Sequence, residues 1–541
     1  MKIVLAEKVS PATIAVLREE GGWEVLTHDQ IPSLADALAD ALTDADALIV
    51  RSAVQVDDAL LARAPRLRVI GRAGVGVDNI DAEAATRRGI VVMNTPGANA
   101  VAVAELTLAL MLALARELPR ANAALHTGRW EKKSLAGTEM RGKTLGILGL
   151  GRIGLEVATR ARAFGMTLLG LDPFVSPSVA REHDVRLVYA EELFRASDYL
   201  SLHVGLTPQT HGIVNEQSLA LMKQSARIIN CARGELIDTQ ALAAALRAGQ
   251  IAGAALDVFE NEPLEDSPFF GMGQVLLTPH IAGSTAEAQE AVGIQIAEQV
   301  RAFLKLSVVQ NAVNSPSLSH EQYLTLAPFA EAAERLGTAL AQLLPAESGG
   351  LESISLGYSG ALAEARTEMV RNAAIAGVLG GSEGANRVNA AQVASERGVR
   401  IHEEKTHEGG SAVAITLHTR NGSALDARAG VALDRAGETS TGKTGGARLL
   451  HLEGIAIEAP LEGTLLVVRN SDVPGVIGKL GTVIGEHNIN IANFALGRAQ
   501  GAAQGTALAV IQVDGEATPA LLRQLRAVEA VHEVRLVELP G

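Results

Sequence analysis

The sequence predicts an α/β fold. Two doubly wound parallel sheets come first, and the first of them is discontinuous in the chain. An α+β segment and a C-terminal ferredoxin-like unit follow. Three observations carry this. Short apolar runs alternate with helical patterns through roughly the first three hundred residues, as parallel strands joined by crossover helices do. A G-x-G-x-x-G turn lies between an apolar run and a helical pattern at 149–154. Residues 463–541 read β-α-β-β-α-β. The expected units are 1–98 with 286–312, then 99–285, 318–458 and 463–541.

The glycine turn is the most informative stretch. Thr144–Leu150 reads as a buried strand, Arg152–Phe164 as a helix, and Thr167–Leu171 as a second strand ending at Asp172. In this βαβ context Gly149 permits the tight turn and Gly151 admits a pyrophosphate to the backbone. Gly154 lets helix and strand pack closely. The helix N-terminus offers unpaired N–H groups to phosphate oxygens. Asp172 lies 18 residues past Gly154, where a carboxylate bonds ribose hydroxyls and repels a 2′-phosphate. The expected cofactor is NAD, in a Rossmann-like unit.

In the first unit, strands are expected at Lys2–Ala6, Val25–Leu26, Ala47–Val50, Val69–Ile70 and Ile90–Met93, with helices after Ser10-Pro11 and over Leu34–Leu42. Arg51, Arg72 and Asn99 fall at or just past strand ends, where ligands of such sheets bind. Residues 101–115 are nearly all apolar, but the run is too short for a membrane span, which takes about 18 residues. It reads as a helix buried on all sides. Nucleotide-unit strands are expected at Leu145–Leu148, Leu168–Leu171, Tyr199–His203, Arg227–Asn230, Gly253–Asp257 and Val275–Thr278. A helix over about Ala286–Phe303 would return to the first unit.

The totals narrow the function class. A net charge of −14 argues against a nucleic-acid partner held by a broad basic surface. The single cysteine, Cys231, excludes an internal disulfide and any multi-cysteine metal site, and fits a reducing compartment. The N-terminal MKIVLAEKVS has no apolar core of a signal peptide, so a cytoplasmic location is expected.

Three residues then stand out: Arg233 in NCARGELID, Glu262 in DVFENEP and His280 in LLTPHIAGST, each after a nucleotide-unit strand. Alcohol oxidation with NAD needs a proton acceptor, and histidine titrates near neutral pH. A neighbouring carboxylate stabilises imidazolium, and an arginine fork orients a carboxylate substrate. His203 is read as packing or cofactor support. His402 and His407, in HEEKTHEGG, are read as part of a solvated acidic loop, because their spacing does not suit a shared metal on one helix face. No metal site is expected.

These motifs, with GRAGVGVDNID at 71–81, resemble the D-isomer-specific 2-hydroxyacid dehydrogenase family, in its long form with an intervening domain and an ACT domain. GANRVNAAQVASERGV, 384–399, is the most recognisable piece of the intervening domain. The spacings agree: 29 residues separate Arg233 from Glu262 and 18 separate Glu262 from His280. The resemblance implies NAD-dependent oxidation of D-3-phosphoglycerate to 3-phosphooxypyruvate, the first step of serine synthesis, with a side reduction of 2-oxoglutarate. It implies His280 as base, Glu262 as its partner and Arg233 as carboxylate clamp. It further implies NAD contacts from Val75, Gly149, Gly151, Arg152, Ile153, Gly154, Asp172, Val204, Cys231, Ala232, Arg233, Asp257, His280 and Gly283. Substrate contacts are implied for Arg51, Arg72, Gly74, Asn99, Arg233 and His280. Trp130 matches a tryptophan inserted across a dimer contact, beside Arg129, Lys132 and Lys133. A homotetramer is implied, with L-serine as effector at Asp472 and Asn490. The sequence departs from the family at Val75, often threonine, and at Gly205, often proline, which bears on cofactor affinity. Two alternatives stay open: another D-2-hydroxyacid dehydrogenase, and a non-catalytic NAD-sensing protein.

Overall fold

The computed structural model describes residues 1–32, 36–316, 318, 320–345, 347–431, 446–498 and 505–540. The first sheet comprises β1 (Lys2–Leu5), β2 (Glu24–Leu26), β3 (Ala47–Val50), β4 (Val69–Arg72) and β5 (Val91–Met93). All its strands are parallel, in the order β2-β1-β3-β4-β5. The second comprises β6 (Thr144–Leu148), β7 (Thr167–Leu171), β8 (Val185–Leu187), β9 (Tyr199–Leu202), β10 (Arg227–Asn230), β11 (Gly253–Leu256) and β12 (Val275–Leu277). It is also parallel, with strand order reversing between β6 and β9. That reversal opens the crevice in which doubly wound sheets hold ligands.

Both faces of each parallel sheet are buried, so the strands read as unbroken apolar runs rather than alternating ones. Strand β8 escapes the sequence reading because its Val-Arg-Leu is too short and mixed to register as a run. Ser10 caps the helix Pro11–Arg18 by accepting from the Thr13 N–H at 3.2 Å, with proline in the first turn. The helix expected over Leu34–Leu42 is seen at Ala37–Leu42, and its expected start lies outside the described residues.

Two helices join the sheets. Ala100–Ala115, expected from composition to be buried on all sides, has an open face instead: Val101 is 48% exposed, and Glu105 and Ala109 share that face. Their four-residue spacing puts them on one stripe of the helix, a pattern hidden by alanine and valine being apolar on both faces. The chain breaks at Glu117, whose φ is 49°, and a separate helix runs over Leu118–His126. Helix Ala286–Leu306 returns to the first sheet. Gly71 in β4 makes room for it, since a Cβ there would lie 2.7 Å from Ile296 and 2.9 Å from Val300.

The third sheet contains β13 (Leu351–Ser359), β14 (Arg400–Thr406), β15 (Ala412–Thr419), β16 (Ala424–Val431), β17 (Ala447–Leu452) and β18 (Ile455–Pro460). Its order is β14-β13-β15-β16-β17-β18, with β14 parallel to β13 and the other pairs antiparallel. The fourth contains β19 (Gly463–Ser471), β20 (Asn490–Arg498), β21 (Thr506–Asp514) and β22 (Val531–Leu539), antiparallel in the ferredoxin-like order β20-β21-β19-β22. Its own helices, Val476–Glu486 and Pro519–Arg526, cover one face. On the other face Leu465, Leu508, Val510 and Val537 enter the same core as Leu336 and Leu340 of helix His320–Leu343. Gln342 of that helix bonds both the Glu538 carbonyl and the Glu538 N–H, at 2.9 and 2.8 Å. The third unit also touches the first: the Asn389 amide donates to the Arg87 carbonyl at 3.1 Å.

Helices His320–Leu343 and Glu368–Glu383 cross where glycine allows backbone contact. A Cβ at Gly337 would lie 2.5 Å from the Ala374 carbonyl oxygen. Gly337→Ala is expected to destabilise this unit by about 1–3 kcal/mol, the scale of overpacking. Differential scanning calorimetry should show an earlier transition while turnover at room temperature persists; an unchanged thermogram would refute the tight crossing.

Candidate active site

The glycine turn comes directly after β6. Gly149 adopts φ 94°, and a Cβ there would lie 2.6 Å from the His203 carbonyl oxygen. A Cβ at Gly154 would strike the Gly149 carbonyl, so only glycine lets the helix sit this close. Above Gly151, at the N-terminus of helix Arg152–Ala163, a Cβ would meet nothing within 4 Å. Open space over free N–H groups suits a pyrophosphate. Asp172 closes the far side. Its carboxylate accepts from the N–H groups of Leu150 (2.8 Å), Phe174 (2.8 Å) and Val175 (3.2 Å), and it remains half-buried at the strand end. Ile153 is half-buried in the first turn of the helix, and Arg152 reaches across to the Pro96 carbonyl of the first unit.

Glu262 and His280 are brought together. His280 Nδ1 lies 2.7 Å from Glu262 Oε2, and Glu262 Oε1 accepts from the Phe259 N–H at 3.0 Å. A carboxylate only accepts, so Nδ1 carries the proton and neutral His280 keeps its Nε2 lone pair free. His280 has φ 52°, a left-handed backbone that non-glycine residues rarely adopt. Asp257 holds it there. This residue is 0% exposed; its carboxylate accepts from Thr278 Oγ1 (2.5 Å) and from the N–H groups of Ile281 (3.0 Å) and Ala282 (2.9 Å). Its carbonyl accepts from the His280 N–H at 2.8 Å.

Buried Asn230 shapes the next turn, accepting from the Ala232 N–H at 3.0 Å and donating to the Arg233 carbonyl at 2.7 Å. Arg233 thereby points at the first unit, where Nε and Nη2 meet Asp78 Oδ2 at 3.1 and 3.0 Å. Burial, and then the nearby charge of Arg233, hold the Arg72 guanidinium below its ordinary pKa, and Arg51 acts in the same direction. Arg51 directly follows Val50, the β-partner of Arg72, and Arg233 reaches the Asp78 loop beyond the same strand, so the three arginines stand at one edge of the first sheet. Gly74, at φ 155°, leaves the space that the Arg72 guanidinium occupies. Arg51 donates to the Lys8 carbonyl at 3.2 Å, while Glu7 accepts from the N–H groups of Arg51, Ala53 and Val54.

The remaining candidates are half-buried or buried. Val75 accepts from Asn94 at 2.6 Å. Asn99 has a buried Oδ1 without a partner and faces Gly283, where a Cβ would lie 3.0 Å from its amide nitrogen. Val204 packs over Gly149. Burial, then the Asp257 carboxylate, push the Cys231 thiol up to about 12, against a bond from Thr107. Burial lowers His203 to about 4; its Nε2 lies 2.7 Å from Ser201 Oγ and its Nδ1 has no partner.

Sequence reasoning missed Asp78 and Glu7. Each comes after a first-sheet strand, the only signal available, and acids are common in such loops. Asp472 and Asn490 are not brought together within one chain. Asp472 lies 3.0 Å from Arg498 at one end of β20, and Asn490 bonds Asp514 at 2.7 Å at the other. Residues 402–406 are not loop as expected: they belong to the edge strand β14, parallel to β13. Exposed charges along an edge strand deter pairing with other chains, which explains their loop-like composition. Among the described residues no group of three His, Cys, Asp or Glu side chains could hold a metal ion.

Known proteins resemble the chain along its whole length. Residues 108–282 match the D-isomer specific 2-hydroxyacid dehydrogenase NAD binding domain, 325–432 the D-3-phosphoglycerate dehydrogenase intervening domain, and 464–530 the ACT domain. The D-3-phosphoglycerate dehydrogenase of Methanocaldococcus jannaschii is 38% identical over 542 residues, covering 100% of both chains. That of Bacillus subtilis is 34% identical over 542 residues with the same coverage. Among solved structures, a glyoxylate reductase from Paecilomyes thermophila has a TM-score of 0.53 at 30% identity, covering 58% of this chain and 98% of its own. A D-lactate dehydrogenase from Aquifex aeolicus complexed with NAD and lactic acid has a TM-score of 0.51 at 28% identity, covering 59% and 100%. With relatives this similar along its whole length, the chain belongs to the D-3-phosphoglycerate dehydrogenases of the D-isomer specific 2-hydroxyacid dehydrogenase family.

Proposed function

We propose that this chain oxidises D-3-phosphoglycerate with NAD to 3-phosphooxypyruvate, the entry step to L-serine. The observation that carries the reading is the His280–Glu262 pair at 2.7 Å, together with Arg51, Arg72 and Arg233 gathered at the strand ends of the first sheet. A substrate with both a carboxylate and a phosphate is matched by that many cations; lactate or glycerate would leave charge unmet.

NAD, when bound, takes the hydride from the substrate carbon. The Gly149–Gly154 turn would hold its pyrophosphate and Asp172 its ribose. Val75, Val204, Ala232 and the Asp257-anchored turn up to Gly283 would line the rest of its course. His280 Nε2 takes the hydroxyl proton, and Glu262 stabilises the imidazolium that forms. Arg233 binds the carboxylate and turns the hydroxyl towards His280. Arg51 and Arg72 bind the phosphate end, with Gly74 and Asn99 shaping the pocket.

Assembly and control extend the reading. The exposed Trp130 (80%), Leu118 (53%) and Leu125 (59%) support association of subunits as a homotetramer. The proposed location is the cytoplasm; no described helix is long and apolar enough to cross a membrane. Asp472 and Asn490, at opposite ends of β20, would meet only across two copies of the C-terminal sheet, and L-serine is the proposed occupant.

His280→Ala should lower turnover by about 10²–10⁴-fold, measured by NADH absorbance, while NAD still binds; near wild-type turnover would remove His280 from the mechanism. Glu262→Gln should lower it less. Asp172→Ala should narrow a strong preference for NAD over NADP, measured as the ratio of kcat/KM values, and equal use by the wild type would overturn the role of Asp172. L-serine should inhibit, with Asp472→Ala and Asn490→Ala relieving inhibition without loss of catalysis. Titration calorimetry that detects no serine binding would make the C-terminal unit structural only.

A further inference from the structure

The Asp78–Arg233 pair joins the two sheets at the point where the substrate carboxylate would bind. A guanidinium has five N–H donors. Nε and Nη2 of Arg233 both meet Asp78 Oδ2, and Nη1 donates to the Ala232 carbonyl at 2.6 Å. One N–H on each terminal nitrogen is left, and these two form the end-on fork that grips a carboxylate in two-point geometry.

The Asp78 loop is built to hold this position. Asn79 donates to the carbonyls of Arg51 (3.0 Å) and Val54 (2.7 Å), and Asp81 caps helix Ala82–Arg87 by accepting from the Ala84 N–H at 2.8 Å. Gly76 leaves the space that Arg233 Nη2 occupies: a Cβ there would fall on that nitrogen. Yet the Asp78 side chain is 69% exposed. An ion pair so open to water adds little to stability, so its contribution is orientation. Asp78 also lies in the field shared by Arg72, Arg51 and Arg233, and offsets part of their mutual repulsion.

We infer that Asp78 is a positioning residue for the oxidation reaction: it clamps the side edge of the Arg233 guanidinium, so that only the end-on fork faces the substrate carboxylate. The inference rests on the proposed role of Arg233.

Steady-state kinetics on the full-length enzyme test it. Asp78→Asn keeps the shape and removes the charge. It should raise KM for D-3-phosphoglycerate about tenfold or more, the scale of a lost charge-assisted hydrogen bond. The change in kcat should be smaller, with KM for NAD and the thermal midpoint unmoved. Asp78→Glu should recover part of the loss. Gly76→Ala, whose Cβ would fall between Arg233 Nη2 and Asp78 Oδ2 and push them apart, should give the same signature and decides the matter if Asp78→Asn does not fold. In an Arg233→Lys background, Asp78→Asn should add nothing. A substrate KM unmoved by these substitutions, or a matching rise in KM for NAD, overturns the inference while leaving the dehydrogenase intact. A wild type that forms no NADH with phosphoglycerate overturns the proposed function, and this inference with it.

Discussion

The candidate active site depends on one buried carboxylate, that of Asp257. Strand β12 has three residues, too few to fix the segment beyond it, and the next turn must carry His280 through a left-handed backbone costing on the order of 1–2 kcal/mol. Asp257 meets that cost by accepting three hydrogen bonds from the turn while lying fully out of water. Removing a charge from water is unfavourable unless its lone pairs are occupied, and here the occupation is the structure. The imidazole and the Glu262 contact inherit their positions from it.

Electrostatics divides at the same site. The chain carries a net charge of −14, yet its proposed substrate is an anion. The conflict is resolved by distance. Charges further off than about 8–10 Å are screened at physiological salt, whereas Arg51, Arg72 and Arg233 act at the site itself. Arg72 is held below its ordinary pKa by burial among other cations; an arginine still stays charged there, whereas a lysine would lose its proton more readily.

Much of this was legible in the sequence, and the failures have physical causes. The glycine turn, its strands and its terminal acid could be read because Gly149 and Gly154 answer steric demands that no other residue meets and Gly151 leaves open space over the helix N-terminus. Arg233, Glu262 and His280 could be read because chemistry restricts the residue types and strand ends restrict their places. Asp78 could not, because its meaning lies in a partner far along the chain on another sheet. Strand β14 was hidden by its charges, and the open stripe of helix Ala100–Ala115 by residues that look alike whether covered or not. The third unit's helices and strands were too mixed in pattern to place before the structure set them in one core.

The fourth sheet has no interior of its own on one side. Leu465, Leu508, Val510 and Val537 complete a core whose other half comes from helix His320–Leu343. Units of a chain come apart most easily at joints where few contacts cross. Here a joint at the turn between β18 and β19 would cut through packed side chains, and a transplanted module would arrive with a bare apolar face. The fourth sheet is thus stable in water only with helix His320–Leu343 in place, and a change in the size of a side chain on either side of their shared core is felt on the other.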